Sequence, residues 1–321
     1  MTLRVLILGA NGFIGCHLLE ALAGSDWVTP IAAGRRVAGP GGGPQYVRVD
    51  ATDEAQLNRA LANVTAVINC VAGSAETMIA VTRALLAAAG RQSTPPRLLH
   101  MSSMAVYGPA TGLITESAPM LATDPYGRAK AACETLLEEW PSAVVCRPGI
   151  VYGPRGPQWT VRIARWLRSR RLGDLGAAGD GICNLVYVGD VVHALTQALR
   201  TPALDGRVFN LAMPDPPTWN EYLIAFARAL RAVPVARIGA RRLKLETKLL
   251  APPLKIAELL GGRLGLGAGV LPEAIPPSLL RLFRQDIRLD ATRAQRSLQL
   301  QWTTLAEGLT QSVRSLQSQP Y

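Results

Sequence analysis

The sequence predicts an α/β protein, built as a doubly wound parallel sheet with a smaller, mostly helical C-terminal domain. Three observations carry that expectation. Short apolar runs alternate with helical periodicity through the first half of the chain, and helices between successive strands make the pairing parallel. A glycine-rich turn, Gly9–Gly15, follows the first run directly. Beyond about residue 212 the alternation gives way to helical spacing and a proline-interrupted apolar stretch.

The elements follow in order. Leu3–Leu8 is an apolar run ending at glycine, and Phe13–Ala23 has helical spacing. Val28–Ala33 and Gln45–Val49 read as the second and third strands. Asp53 and Gln56 make a capping box for a short helix. Ala66–Val71 is the fourth strand, with an alanine-rich helix after it to about Gly90. Leu98–Met101 is the fifth, a helix runs from about Pro125 to Trp140, and Ala143–Arg147 is the sixth. In the second half, helices are predicted at Trp159–Arg170, Val191–Arg200 and Trp219–Arg231, the last opened by the box Thr218 to Glu221. Short strands are predicted at Leu185–Val188 and Val208–Leu211. Residues 1–150 and about 184–212 are therefore expected to form the sheet domain, and 151–183 with 213–321 a second, smaller domain.

Composition narrows the class. The 321 residues are 49% hydrophobic and 18% charged, enough to bury one large core and a smaller one. Cys16, Cys70, Cys133, Cys146 and Cys183 stand singly, which reads as reduced thiols in a reducing compartment. His17, His100 and His193 are isolated, so no metal is expected. The apolar run at the start ends in a glycine loop rather than a cleavage site, and no run of 18 apolar residues occurs. A cytoplasmic protein without a spanning segment is expected, as a monomer or homodimer. The net charge is +11, much of it from Arg162, Arg165, Arg168, Arg170, Arg171, Arg241, Arg242, Lys244 and Lys248. With no nucleic-acid motif beside them, these read as a solvated face, with contact to a membrane surface as an alternative.

The turn Gly9-Ala-Asn11-Gly12-Phe13-Ile14-Gly15 lies between a strand and a helix. There the chain must turn sharply, let its backbone approach a pyrophosphate and pack a helix on the sheet. The phosphates then meet free amides at the positive end of the helix. This is the cofactor loop of a Rossmann sheet. Ligands on such sheets sit at the carboxyl ends of the strands, where Gly9, Asp50, Ala72, Ser103 and Pro148 all fall. The second predicted strand ends Ala33-Gly34-Arg35-Arg36 with no acid nearby, which favours NADP(H) over NAD(H). Tyr126 and Lys130 share one helix face, one turn apart. The expectation is that the ammonium lowers the phenol pKa for proton transfer and holds the nicotinamide ribose, while Ser103 bonds the same substrate oxygen.

These residues, with Ser102-Ser-Met-Ala-Val-Tyr-Gly108, Arg147-Pro-Gly-Ile-Val-Tyr-Gly-Pro154, Val186-Tyr-Val-Gly-Asp190 and Asp290-Ala-Thr-Arg-Ala294, resemble the extended short-chain dehydrogenases/reductases, the group of NAD-dependent epimerases and dehydratases. The resemblance implies Ser103, Tyr126 and Lys130 as the catalytic set. It implies an adenine contact at Asp50 and Ala51, a cofactor lining at Val71 and Ala72, and Pro148, Gly149, Ile150 and Val151 beside the nicotinamide. Met104, Arg155 and Asn184 fall on the substrate side. Three departures count against the nucleotide-sugar and dehydratase branches. The usual pyrophosphate arginine is Cys183, a frequent asparagine is Met78, and an Asp-Glu pair is replaced by Met104-Ala105. The apolar segment 238–283 is similar to the substrate region of the 3β-hydroxysteroid dehydrogenase-like branch. It is expected to be a mobile lid, with a static core, a dimer surface or a membrane contact as alternatives. The leading expectation is hydride transfer at an alcohol or ketone of a small, fairly apolar substrate. A nucleotide-sugar epimerase holding its cofactor tightly, with Arg155, Arg281, Arg284 or Arg288 replacing the lost phosphate ligand, and a non-catalytic dinucleotide sensor are the alternatives.

Overall fold

A computed structural model describes residues 2–36, 45–140, 142–250 and 274–318. The strands are β1 Leu3–Leu8, β2 Val28–Gly34, β3 Gln45–Arg48, β4 Ala66–Asn69, β5 Arg97–Met101, β6 Gly112–Ile114, β7 Val144–Pro148, β8 Ile150–Tyr152, β9 Leu185–Tyr187, β10 Val208–Leu211 and β11 Ile287–Leu289. The first seven α-helices are α1 Phe13–Ala23, α2 Glu54–Ala60, α3 Ala75–Gly90, α4 Pro125–Glu138, α5 Ile163–Arg168, α6 Val188–Arg200 and α7 Trp219–Ala229. The chain divides into two compact units. The first comprises Met1–Gly149, Val186–Pro214 and Leu289–Trp302, and the second Ile150–Leu185, Asp215–Arg288 and Thr303–Tyr321.

The first unit is built on a seven-stranded sheet in the order β10-β7-β5-β4-β1-β2-β3, with every pairing parallel. Its central strands are covered on both faces, which is why Val5–Leu8 and Val67–Ile68 read as continuous apolar runs. Each such aliphatic side chain contributes about 1.5–3 kcal/mol on burial. Helix α1 packs against α6, and α3 against α2 and α4. Register aligns the strand ends. Leu8 lies opposite Ala33 on one side and Asn69 on the other, so the chain leaves β1, β2 and β4 at one level.

The second unit has an aromatic core. Trp219 on α7 lies 5.0 Å from Phe283 and 5.5 Å from Trp159, ring to ring, and Tyr152 lies 6.1 Å from Tyr222. The α7 start is held by the expected reciprocal box: Glu221 N–H donates to the Thr218 hydroxyl, and the Glu221 carboxylate accepts from Thr218 N–H. The closing helix Leu305–Ser318 meets α7, with Gly308 against the Tyr152 hydroxyl where no side chain fits.

Several expectations are revised. The Asp53 box is half formed: Asp53 accepts from Gln56 N–H, but Gln56 Oε1 accepts from Asp50 N–H. The helix expected at Trp159–Arg170 opens as a wide turn, Pro157–Arg162, and ends at Arg168. Helix α6 begins three residues early, inside the Val186 to Asp190 motif, because that motif leaves β9 straight into a helix. Strands β6, β8 and β11 and the closing helix were not foreseen; three-residue strands are too short to show a period. Of the segment 238–283, residues 251–273 lie outside the described residues, and with them most of the expected lid. Its described flanks pack as core: Ile238, Leu243, Ile275, Leu279 and Phe283 are all buried.

Candidate active site

The glycine turn is built as its sequence requires. Gly9 has φ +77°, and a Cβ there would stand 2.9 Å from the Cys70 carbonyl carbon and oxygen. A Cβ on Gly15 would stand 2.3 Å from the Gly9 carbonyl oxygen, so α1 meets the turn closely only with glycine there. Gly12 is the N-cap and supplies no capping side chain, and the first turn of α1 holds no acid. Amides of Phe13 and Ile14 at the helix start are thus available to an anion.

Beside the turn, Asn11 donates to the Arg36 carbonyl at 3.1 Å and accepts from the Tyr46 hydroxyl. Tyr46, on the edge strand β3, was missed by sequence reasoning because nothing local links it to a turn 35 residues earlier. Arg35 and Arg36 are exposed at the end of β2. The expectation of no acid nearby needs correcting. Asp50, beyond β3, lies close enough to Arg35 for that charge to help lower its carboxyl pKa, after the two hydrogen bonds from Thr52. Parallel pairing of β2 with β3 brings the acid in from a neighbouring strand. Ala51 and Val71 are half-buried and Ala72 is exposed at the same strand ends.

Ser103 follows β5, half-buried, its hydroxyl accepting from Ala105 N–H at 3.2 Å. Tyr126 is in the first turn of α4 and 43% exposed. Burial pushes the Tyr126 pKa up, the nearby Ser103 hydroxyl opposes that rise and the Asp124 carboxylate adds to it. The net shift is upward, against the expected lowering by Lys130. The ammonium is instead turned inward. Lys130 is 3% exposed, donates from Nζ to the Met101 carbonyl at 2.6 Å, and lies 5.9 Å from the centre of the Tyr126 ring. Burial lowers its pKa, opposed by the neighbouring Cys133, Cys70 and Glu134.

Behind this group lies a buried polar network that sequence reasoning also missed. Glu134, one turn beyond Lys130, accepts from the Ser102 hydroxyl and from Arg147 Nη2 at 2.6 Å and Nε at 3.0 Å. Arg147 Nη1 donates to the Tyr107 hydroxyl at 2.8 Å, which donates to Asn210 Oδ1 at 2.6 Å. Asn210 N–H donates to Glu116 at 3.0 Å. The signal was present: Glu134 continues the helical spacing from Tyr126 and Lys130. Pairing with Arg147 needed the fold.

The remaining sequence-predicted residues are placed as follows. Met104 opens a short 3-10 turn and is buried. Pro148 and Gly149 close the first unit's β7 region, while Ile150 and Val151 open the second unit. In the second unit, Asn184 is buried and donates to the Ile287 carbonyl at 2.7 Å, so one amide proton is already engaged. Arg155 adopts φ +61°. Arg288 is exposed and pairs with Asp215 at 3.0 Å. Among the described residues no group of three or more His, Cys, Asp or Glu side chains is placed to hold a metal ion.

Residues 5–212 match the model of the NAD dependent epimerase/dehydratase family. The chain belongs to this family. It is 25% identical over 235 residues to an N-acetyl-α-D-glucosaminyl-diphospho-ditrans,octacis-undecaprenol 4-epimerase of Escherichia coli O157:H7, covering 68% of this chain and 69% of that protein. Protein YeeZ of Escherichia coli strain K12 is 30% identical over 142 residues, 43% of this chain and 48% of its own. Among solved structures, UDP-glucuronic acid 4-epimerase from Bacillus cereus, in complex with UDP-glucuronic acid and NAD, superposes with a TM-score of 0.73 at 19% identity, covering 98% and 99% of the two chains. That likeness shows the fold. Members of the family are NAD-dependent enzymes, and no helix among the described residues is long and apolar enough to cross a membrane.

Proposed function

We propose that this enzyme moves a hydride at a secondary alcohol of a sugar carried on a polyprenyl diphosphate, oxidising and re-reducing it as an epimerase does. The observation that carries the chemistry is Tyr126 with the buried Lys130 ammonium 5.9 Å from its ring, near Ser103 at the strand ends that also hold the glycine turn. The cradle fits a dinucleotide, because Gly9 and Gly15 let the turn and the start of α1 pack closer to neighbouring backbone than any Cβ would allow, and the first turn of α1 carries no acid or capping side chain to compete for its amides. A bound nicotinamide ring supplies the hydride acceptor. Tyr126 exchanges the proton at the substrate oxygen, Ser103 bonds that oxygen as charge develops, and Lys130 keeps a positive charge beneath both. In the oxidising step the Tyr126 phenolate takes the proton of the substrate alcohol, and in the reducing step the phenol, which the raised pKa favours, returns it.

Three features support the substrate class. The relative matched over two thirds of its length acts on such a lipid-linked sugar. The position of the usual nucleotide-phosphate arginine is Cys183, which is 0% exposed and cannot reach a ligand. The apolar composition of 238–283 suits a lipid. A simple reductase of an apolar ketone is the second reading, favoured by Cys183 alone. Purified enzyme should convert N-acetylglucosaminyl-diphospho-undecaprenol to its 4-epimer, and Tyr126→Phe should lower the rate about 100-fold or more with cofactor affinity kept. Turnover by Tyr126→Phe at the wild-type rate ends the acid assignment, and conversion of a soluble nucleotide sugar in preference ends the substrate assignment.

For the cofactor, exposed Arg35 and Arg36 support the 2′-phosphate of NADP(H), whereas Asp50 beside Arg35 and the NAD named with the structural relative support NAD(H). The guanidinium pair favours the phosphate. Replacing both arginines by alanine should weaken NADPH much more than NADH in fluorescence titrations. Equal losses, or a wild-type preference for NADH, remove the arginine argument.

A further inference from the structure

The positive charge of the chain is concentrated in one unit. The first unit holds 15 Lys and Arg against 14 Asp and Glu, the second 19 against 9. The second unit therefore carries +10 of the net +11. Charge of one sign at that density repels itself, and a counter-charged partner relieves it.

Part of this charge is gathered at one place. Arg170 turns the chain after α5 with φ +56°, and its carbonyl accepts from Arg242 Nη2 at 3.0 Å. Arg171, the next residue, pairs with Glu246 at 2.6 Å, and both are nearly buried. These two contacts bind the turn to the helix Ala240–Lys244 and the residues after it. Glu246, the one acid in an ion pair at this place among the described residues, is thus spent on Arg171. Arg168, Arg170, Arg241 and Arg242 are exposed, and the first three have no ion pair among the described residues. Leu245, one turn beyond Arg241 and Arg242, leaves 46% of its surface to solvent.

We propose that this arginine face of the second unit docks on an anionic lipid bilayer. The guanidinium groups pair with lipid phosphates, and Leu245 enters the headgroup region among them. Nucleic acid would meet the same charge, but the exposed apolar member here is an aliphatic side chain rather than a ring on which bases stack. The inference rests on the charge partition and on this cluster, and it stands independently of the substrate reading.

The test uses the full chain and sedimentation with vesicles of phosphatidylcholine, with and without phosphatidylglycerol. Wild type should bind only the anionic vesicles, and raised salt should weaken binding. Arg168→Gln, Arg170→Gln and Arg241→Gln together should reduce vesicle affinity at least about tenfold. The charge-matched control Arg48→Gln, Arg59→Gln and Arg83→Gln, exposed in the first unit, should keep it. Affinity for NAD(P)H and the melting temperature should be unchanged in both variants, which separates docking from damage to the fold. Equal binding to neutral vesicles, equal loss in the control, or capture of duplex DNA without vesicle binding would overturn the proposal.

Discussion

Lys130 shows how a single residue depends on its surroundings. Burial favours the neutral amine, and the groups around it are Tyr126, Cys133 and Glu134 on α4, Cys70 after β4, His100 on β5 and the Met101 carbonyl. Cys70 is pushed up to about 12 and Cys133 is also raised by burial, so both thiols are neutral at ordinary pH. His100 is held neutral by burial and by Lys130 itself. Glu134 is therefore the formal anion that sustains the ammonium. Glu134→Gln should lower the Lys130 pKa further. The protonated form is then lost at lower pH, and the alkaline limb of the kcat/KM profile should move toward neutrality while the Arg147 contacts keep an amide oxygen to bond. A profile that keeps its alkaline limb in a folded variant would show that Glu134 does not support the charge. The Tyr126–Lys130 spacing was legible in the sequence; the upward shift at Tyr126 was not, because it follows from burial and from Asp124, neither of which the spacing reports.

At the scale of elements, the turn between β1 and α1 was fully legible. Its glycines answer steric demands that recur wherever a strand feeds a helix under a phosphate. Gly15→Ala tests that reading. The added Cβ meets a backbone oxygen, which cannot swing aside as a side chain would. Dinucleotide affinity should fall by more than about tenfold, with a stability loss of about 1–3 kcal/mol, seen in titration and thermal melts. Wild-type affinity and melting would mean that α1 shifts freely on the sheet. Caps were legible in part. The Thr218 box closes reciprocally as predicted, but Gln56 turns its carbonyl to Asp50, a partner outside the helix. The network from Ser102 through Glu134, Arg147 and Tyr107 to Asn210 ties β5, α4, β7 and β10 behind the proposed site. Its members span more than a hundred residues of chain, and sequence proximity gives no hint of them.

For the whole molecule, the sequence alone determined the parallel sheet, the glycine turn after β1 and the order along the chain of the seven strands that build the sheet. Each rests on local periodicity, on glycine sterics or on the rule that a helical crossover makes neighbouring strands parallel. The spatial order of the strands, the acid that Asp50 brings to Arg35, the inward Lys130 and the division of charge between two units were decided only by tertiary structure. The physical reason is common to all four. A side chain's ionisation and partners are set by what packs against it from distant parts of the chain, and the burial that shifts a pKa or satisfies a buried charge exists only after the elements have met.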